Sequence, residues 1–287
     1  MTQTAILSNR VGSKNSLVMI TGAAGGLGKA FAVECASRGW NLFLTDLRGE
    51  TLEILSSSLS ATYGVRVLTY ACDLTDPASR EGLFKNIKDN HLRFWALINV
   101  AGLDYEGMFY ECSRLQIRTV LRLNLEGTLE VTHALLEHRD PLAALRLINV
   151  ASLAAFYPMP VKATYAASKR FLLDFSLALR EELRPLGATV TALCPAGLPT
   201  TPECIRAIEA QGLIGQLTTQ DVGAVAAQTL DAALKGRAVV IPGLLNQILH
   251  FFGQLIPPAL VARLVSSRWQ AAHQKRGLML TEEPAAR

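Results

Sequence analysis

Seven short apolar runs, separated by stretches of helical periodicity, restrict this chain to few architectures. The runs are SLVMI (16–20), NLFLT (41–45), VRVLTY (65–70), FWALINV (94–100), LRLINV (145–150), ATVTAL (188–193) and AVVI (238–241). Helical patterns fill 26–38, 49–62, 77–90, 111–137, 163–184 and 219–235. Within each run the apolar residues are continuous rather than alternating, the pattern of strands buried on both faces. Strands of that kind alternating with helices predict the α/β class: a doubly wound parallel sheet flanked by helices. The chain is 50% hydrophobic and only 18% charged, which supplies a large core and excludes a disordered or fibrous chain. No repeat, low-complexity segment or linker interrupts the pattern. A single domain over 16–241 is expected, with an N-terminal extension (1–15) and a C-terminal helical tail (242–287).

Several function classes drop out. The net charge is +4 and no Lys/Arg stripe appears, so nucleic acid is not an expected partner. Cys35, Cys72, Cys112, Cys194 and Cys204 are scattered without a C-x-x-C pair, which argues for reduced thiols and against a metal site. The first sixteen residues contain no apolar stretch of signal-peptide type, so a cytoplasmic location is expected. The most apolar segment, 238–262, is broken by Pro242, Pro257 and Pro258 and diluted by Asn246, Gln247 and Gln254, which argues against an integral membrane span.

The first strand runs into TGAAGGLG (21–28), which opens the first helix. Glycines in a strand–turn–helix context allow a pyrophosphate to approach main-chain N–H groups, as in a Rossmann-like sheet. A triphosphate-binding P-loop is excluded, because its first glycine would fall on Ala23 and its hydroxyl on Ala30. Asp46 ends the second strand 18 residues beyond Gly28, where a carboxylate can accept from the adenosine ribose and repel a 2′-phosphate. It could also cap the next helix. Arg48 follows two residues later and could reach such a phosphate. With no basic residue inside the loop, NAD is expected over NADP.

YAASK (165–169) places Tyr165 and Lys169 four apart on one helical face. A phenol titrates near 10 and needs a neighbouring cation to work as an acid–base group near neutrality. Ser152 ends the fifth strand in INVAS, at the rim where ligands of parallel sheets sit, and could hold a substrate oxygen.

TGAAGGLG, NVAG (99–102), Asn124 in LNLEG, Ser152, YAASK and PAGLPT (195–200) occur in an order and spacing that resembles the short-chain dehydrogenase/reductase family. The likeness covers about 16–241, including 13 residues from Ser152 to Tyr165. It implies an NAD(P)-dependent oxidoreductase that moves a hydride between a nicotinamide and an alcohol/ketone pair. Residue by residue, it implies Tyr165 as acid/base and Lys169 as the cation that lowers its pKa and holds the nicotinamide ribose. Ser152 would orient substrate, and Asn124 would hold a water. Gly22, Ala24, Gly26, Leu27 and Gly28 match the family's phosphate loop, Asp73 and Leu74 its adenine contacts, and Asn99, Ala101 and Gly102 its central-sheet brace and cofactor wall. Pro195 and Thr200 match its nicotinamide loop. Ala196 stands where the family usually has glycine, and Gly197 follows, so a local shift is expected there. Family members commonly pair through the helices at 111–137 and 163–184, which implies a homodimer or homotetramer.

The substrate side reads as apolar. Residues 196–218 are expected to form a lid, with Phe156, Tyr157 and Met159 as a wall, which favours a hydrophobic substrate and leaves an acyl-chain or lipid-like ketone as the narrower reading. In 244–256 the leucines, isoleucines and phenylalanines fall on one side of a helix, with Asn246, Gln247, His250, Gly253 and Gln254 on the other. Such a helix could cover the pocket, join a subunit interface or touch a membrane surface; its polar face lacks Lys and Arg, which weighs against the last. The five histidines lie outside every motif. A dinucleotide-binding regulator without turnover is the rival class, opposed by the joint presence of Asn124, Ser152, Tyr165 and Lys169; a serine hydrolase is excluded by the lack of G-x-S-x-G.

Overall fold

The computed structural model describes residues 12–13, 15–210, 212–263 and 265–266. Most of the 1–15 extension and the end of the tail, with His273, lie outside the described residues. In chain order the elements are β1 (Leu17–Thr21), α1 (Gly26–Ser37), β2 (Leu42–Asp46), α2 (Gly49–Tyr63), β3 (Val67–Ala71), α3 (Pro77–Asp89) and β4 (Phe94–Asn99). Then follow α4 (Arg114–Leu121), a π-helical turn (Arg122–Gly127), α5 (Thr128–Glu137), β5 (Arg146–Val150), α6 (Ala163–Leu183) and β6 (Thr189–Leu193). The lid segment holds α7 (Pro202–Ala210) and α8 (Leu213–Thr218); α9 (Val222–Leu234), β7 (Val239–Val240) and α10 (Leu244–Gly253) complete the order.

All seven strands join one parallel sheet in the order β3-β2-β1-β4-β5-β6-β7. Every residue of β1, β2, β4 and β5 is buried, because helices cover both faces of the sheet. Alternate side chains feed two cores: Val18 and Ile20 pack with Phe31, Leu52 and Leu230, while Leu17 and Met19 pack with Leu83, Val131 and Leu179. Side-chain caps explain several helix starts. Asp76 accepts from the Ser79 N–H (2.9 Å) at α3, and Asp221 accepts from the Ala224 N–H (2.8 Å) at α9. A Ser113/Gln116 capping box starts α4 three residues later than the sequence pattern suggests.

The strand order reverses between β1 and β4. A crevice therefore opens beyond their carboxyl ends, where the glycine loop leaves β1 and NVAG leaves β4. The Thr21 hydroxyl accepts from the N–H groups of Val100 and Ala101, both at 3.2 Å, and so holds the two loops together.

Candidate active site

The glycine loop forms one end of a cavity of about 1350 Å³. Gly22 adopts φ +64°, and a Cβ there would come within 2.8 Å of the Ala101 backbone. At Gly28 a Cβ would sit 2.1 Å from the Gly22 carbonyl oxygen, so the first helical turn could not pack on the loop. No side chain caps α1, which leaves its first N–H groups facing a bare glycine surface. That cradle fits the pyrophosphate of a dinucleotide. The Ala24 N–H instead points inward and donates to Asp46 Oδ2 at 3.0 Å.

Asp46 does not cap α2. It is buried, and its carboxylate also accepts from the Arg48 N–H (3.1 Å) and from Arg48 Nε (3.0 Å). The Arg48 side chain is 57% exposed and would approach a Gly25 Cβ to 3.9 Å, so it spans the rim of the loop. Asp73 also lines the cavity, with Oδ1 accepting from the Thr75 N–H and hydroxyl (2.8 and 2.7 Å). Leu74 next to it is fixed from behind. The buried Arg80 guanidinium donates to the Leu74 carbonyl (2.8 Å), to Glu130 and to Glu126, and so clamps the Asp73–Leu74 loop to the π turn and α5.

Across the cavity stand Ser152, Tyr165 and Lys169. The Ser152 hydroxyl accepts from the Ala154 N–H (3.1 Å) and lies close enough to the Tyr165 phenol to oppose the rise in its pKa. Lys169 Nζ lies 5.7 Å from the centre of the Tyr165 ring and donates to the Val150 carbonyl at 2.8 Å. Burial lowers Lys169 to about 8, against a smaller opposite pull from Asp104 and Cys194. Burial also raises the Tyr165 phenol above its ordinary value; Asp104 adds to the rise and the Ser152 hydrogen bond opposes it. In the free protein, burial outweighs any lowering by the neighbouring Lys169 ammonium.

The π turn aims Asn124 inward. Asn124 is fully buried, accepts from the Leu103 N–H (2.8 Å) and donates to the Leu103 carbonyl and to Ser168 Oγ (both 3.0 Å). A Cβ on Gly102 would meet Lys169 Nζ at 3.1 Å and Asn124 Oδ1 at 3.4 Å, so both groups back onto Gly102. Asn99 donates to Thr132 Oγ1 (3.0 Å) and Asn149 Oδ1 (2.9 Å), bracing β4 against β5 and α5.

Most residues singled out from sequence converge on one cavity: Gly22, Gly26, Leu27, Gly28, Asp46, Arg48, Asp73, Leu74, Ala101, Gly102, Ser152, Tyr165, Lys169, Pro195 and Thr200 all line it. Ala24, Asn99 and Asn124 stand behind the wall. Thr200 packs on the loop, 2.8 Å from a Cβ placed on Gly26. Tyr157 and Met159 line the substrate side as expected, while Phe156 is absent from the lining and packs at a tilt against His250, ring centres 3.9 Å apart. Sequence reasoning missed Lys162. Its ammonium lies 5.8 Å from the Tyr165 ring centre and pairs with Asp104 (2.5 Å) and Glu106 (3.3 Å). No spacing rule links 104–106 to 162; the Gly107 N–H, donating to the Val161 carbonyl at 2.8 Å, ties the two segments in space.

Residues 16–204 match the family model described as short chain dehydrogenase. A very-long-chain 3-oxoacyl-CoA reductase of Phaeosphaeria nodorum is 31% identical over 183 residues, 62% of this chain and 54% of that protein. The chain thus spans about half the length of the first curated relatives it matches. Sulfoacetaldehyde reductase 2 of Chromohalobacter salexigens is 32% identical over 194 residues, 67% of this chain and 76% of its own length. Among solved structures, a short-chain dehydrogenase from Sphingobium yanoikuyae in complex with NADPH superposes with a TM-score of 0.69 at 26% identity, covering 95% of this chain and 98% of that one. With the glycine loop, Ser152 and the Tyr165–Lys169 pair converging at one sheet rim, the chain belongs to the short-chain dehydrogenase/reductase family of oxidoreductases.

Proposed function

We propose that this protein reduces hydrophobic ketones with NADPH. The observation that carries the reading is one continuous cavity, with the glycine cradle at one end and Ser152, Tyr165 and Lys169 further in. Beyond them Leu153, Met159, Leu198, Ile208, Leu249 and Ile256 supply apolar wall that suits an acyl chain or fused-ring ketone, with Asp104 and Lys162 as the charged groups of the lining. The 3-oxoacyl-CoA reductase among the relatives is consistent with that class.

A bound nicotinamide would supply the hydride. The protein's own groups hold the substrate oxygen and move one proton. Ser152 donates to the carbonyl oxygen and fixes it beside the phenol. Tyr165, protonated through the neutral range, gives its proton to that oxygen as the carbonyl is reduced. Lys169, charged below about pH 8, holds the nicotinamide ribose and favours the phenolate left behind. Asn124 is a positioning residue that fixes the Leu103 backbone and, through Ser168, the first turn of α6.

For the cofactor we favour NADP(H) over the NAD expected from Asp46. Both Asp46 oxygens already accept hydrogen bonds within the protein, and the exposed Arg48 guanidinium is the group placed to meet a 2′-phosphate. The NADPH-bound relative supports the same choice. The exposed Leu115, Leu121, Phe171 and Leu177 on α4 and α6 support self-association through those helices. Initial rates with NADPH and a panel of ketones test the substrate reading. Long-chain or steroidal ketones should exceed sugar ketones in kcat/KM by at least about tenfold, the discrimination expected for one or more buried methylenes. Equal or inverted rates would overturn it.

A further inference from the structure

The last helix sits on the body of the protein through Asn246, His250 and Gly253, while Gln247 and Gln254 stay exposed. Asn246 is fully buried and donates to the Thr218 carbonyl (3.0 Å) and the Pro242 carbonyl (2.8 Å). Gln247 donates to the Ile241 carbonyl (2.9 Å). The Tyr157 hydroxyl donates to the Leu249 carbonyl (3.1 Å), within reach also of the His250 carbonyl (3.4 Å). Gly253 lies so close to that ring that a Cβ would come within 2.4 Å of the hydroxyl. A helix of a soluble protein normally buries its apolar stripe and presents the polar one. Here much of the apolar stripe faces out: Leu244 is 72% exposed, Phe251 62%, Phe252 59% and Leu255 69%.

Charge says what covers this face. Residues 238–262 contain no Lys, Arg, Asp or Glu, and the longer stretch 232–281 contains six Lys/Arg and no Asp or Glu. An apolar stretch whose nearest charged neighbours in sequence on either side, Arg237 and Arg263, are cations complements an anionic lipid surface. A protein interface would be expected to offer hydrogen-bonding anchors such as Tyr, Trp or Arg. Apart from Gln247, the exposed side chains of α10 are aliphatic or Phe and cannot make a hydrogen bond. Leu249, Gly253 and Ile256 of the same region line the substrate cavity, so the outward face adjoins its mouth.

We propose that α10 rests on an anionic lipid bilayer, with Leu244, Phe251, Phe252 and Leu255 at the acyl boundary and Lys235, Arg237 and Arg263 among the flanking cations that meet the headgroups. The cavity mouth then faces the bilayer, and a lipid-like ketone enters without crossing water. That route rests on the proposed ketone reduction; the membrane contact does not.

Flotation of the full chain with vesicles tests the contact. Phosphatidylcholine vesicles with about 30 mol% phosphatidylserine are compared with phosphatidylcholine alone, at low and high salt. The wild type should float with the anionic vesicles and release as salt rises. Phe251→Ser/Phe252→Ser should lower its partitioning by at least about tenfold, while NADPH binding and reduction of a water-soluble ketone stay unchanged. Leu244→Ser/Leu255→Ser repeats the test at the other edge of the face. Failure of the wild type to float, or equal flotation of both double variants, would overturn the proposal. So would a wild-type oligomer that Phe251→Ser/Phe252→Ser dissolves without any vesicle binding, which would assign the face to a second copy. Flotation without ketone turnover would sink the catalytic reading and leave the membrane contact standing.

Discussion

Replacing Arg48 by alanine should reverse the cofactor preference rather than weaken binding evenly. Arg48 Nε is 3.0 Å from Asp46 Oδ1, and the guanidinium lies over the rim of the glycine loop. A hydrogen bond between a charged donor and a phosphate contributes about 1.5–3 kcal/mol. With 57% of the Arg48 side chain exposed, solvent screening puts the contribution near the lower end, so NADPH should bind about tenfold more weakly. NADH should respond differently. Asp46 keeps its bond from the Ala24 N–H, and the oxygen released by Arg48 becomes free to accept from a ribose hydroxyl. Its affinity should hold or rise by up to about threefold. Fluorescence titration of wild type and Arg48→Ala with each reduced cofactor reads both effects, and salt should weaken NADPH binding only in the wild type. Equal weakening of NADH and NADPH would make Arg48 a mere brace for Asp46. Unchanged NADPH affinity would place the 2′-phosphate elsewhere.

Three further outcomes follow from the buried charges. The kcat/KM for cofactor should fall above about pH 8 as Lys169 loses its proton, and Lys169→Arg should move that alkaline limb upward; a limb that stays put would detach it from Lys169. The same depressed pKa bears on stability. The unfolded chain binds the Lys169 proton up to its ordinary value of 10.5, so the buried charge costs stability at neutral pH and the cost is relieved as pH rises from about 8 towards 10.5. Lys169→Met should therefore raise neutral-pH stability by on the order of 2 kcal/mol, read by urea unfolding, and a loss would refute the sign. Glu126→Gln/Glu130→Gln leaves Arg80 buried without a counter-charge and should destabilise by about 3 kcal/mol or more in the same assay. Arg80→Met leaves only half-exposed carboxylates and should cost less; the opposite ranking would refute the buried-charge explanation.

The sheet was legible because parallel strands buried on both faces must be continuously apolar, and all seven runs form strands within two residues of their expected limits. The glycine loop, Ser152, Tyr165 and Lys169 were legible for a related reason: each requires a residue type at a fixed offset from a strand end or helical turn. Three features were not. The π turn depends on an extra backbone residue in a continuous helix, which leaves periodicity nearly unchanged while turning Asn124 inward. The Asp104–Glu106–Lys162 cluster joins segments that only the fold brings together. The tail helix showed its two faces in sequence but not which one meets the body; the hydrogen bonds of buried Asn246 and the contacts with Tyr157 fix its seat. Asp46 stands where a ribose acceptor is expected, and the sequence could not show that Arg48 and the Ala24 N–H would also donate to its oxygens.

Proton donation by Tyr165 during hydride transfer is best tested by single-turnover reduction of a long-chain ketone, followed as loss of reduced nicotinamide, in wild type and Tyr165→Phe. The substitution removes one oxygen and leaves the ring between Lys162 and Lys169. The rate should fall by about 10²–10⁴, with NADPH affinity within about twofold of the wild type. A Tyr165→Phe rate within tenfold of the wild type, or a wild type that binds NADPH and transfers no hydride to any ketone, would contradict it.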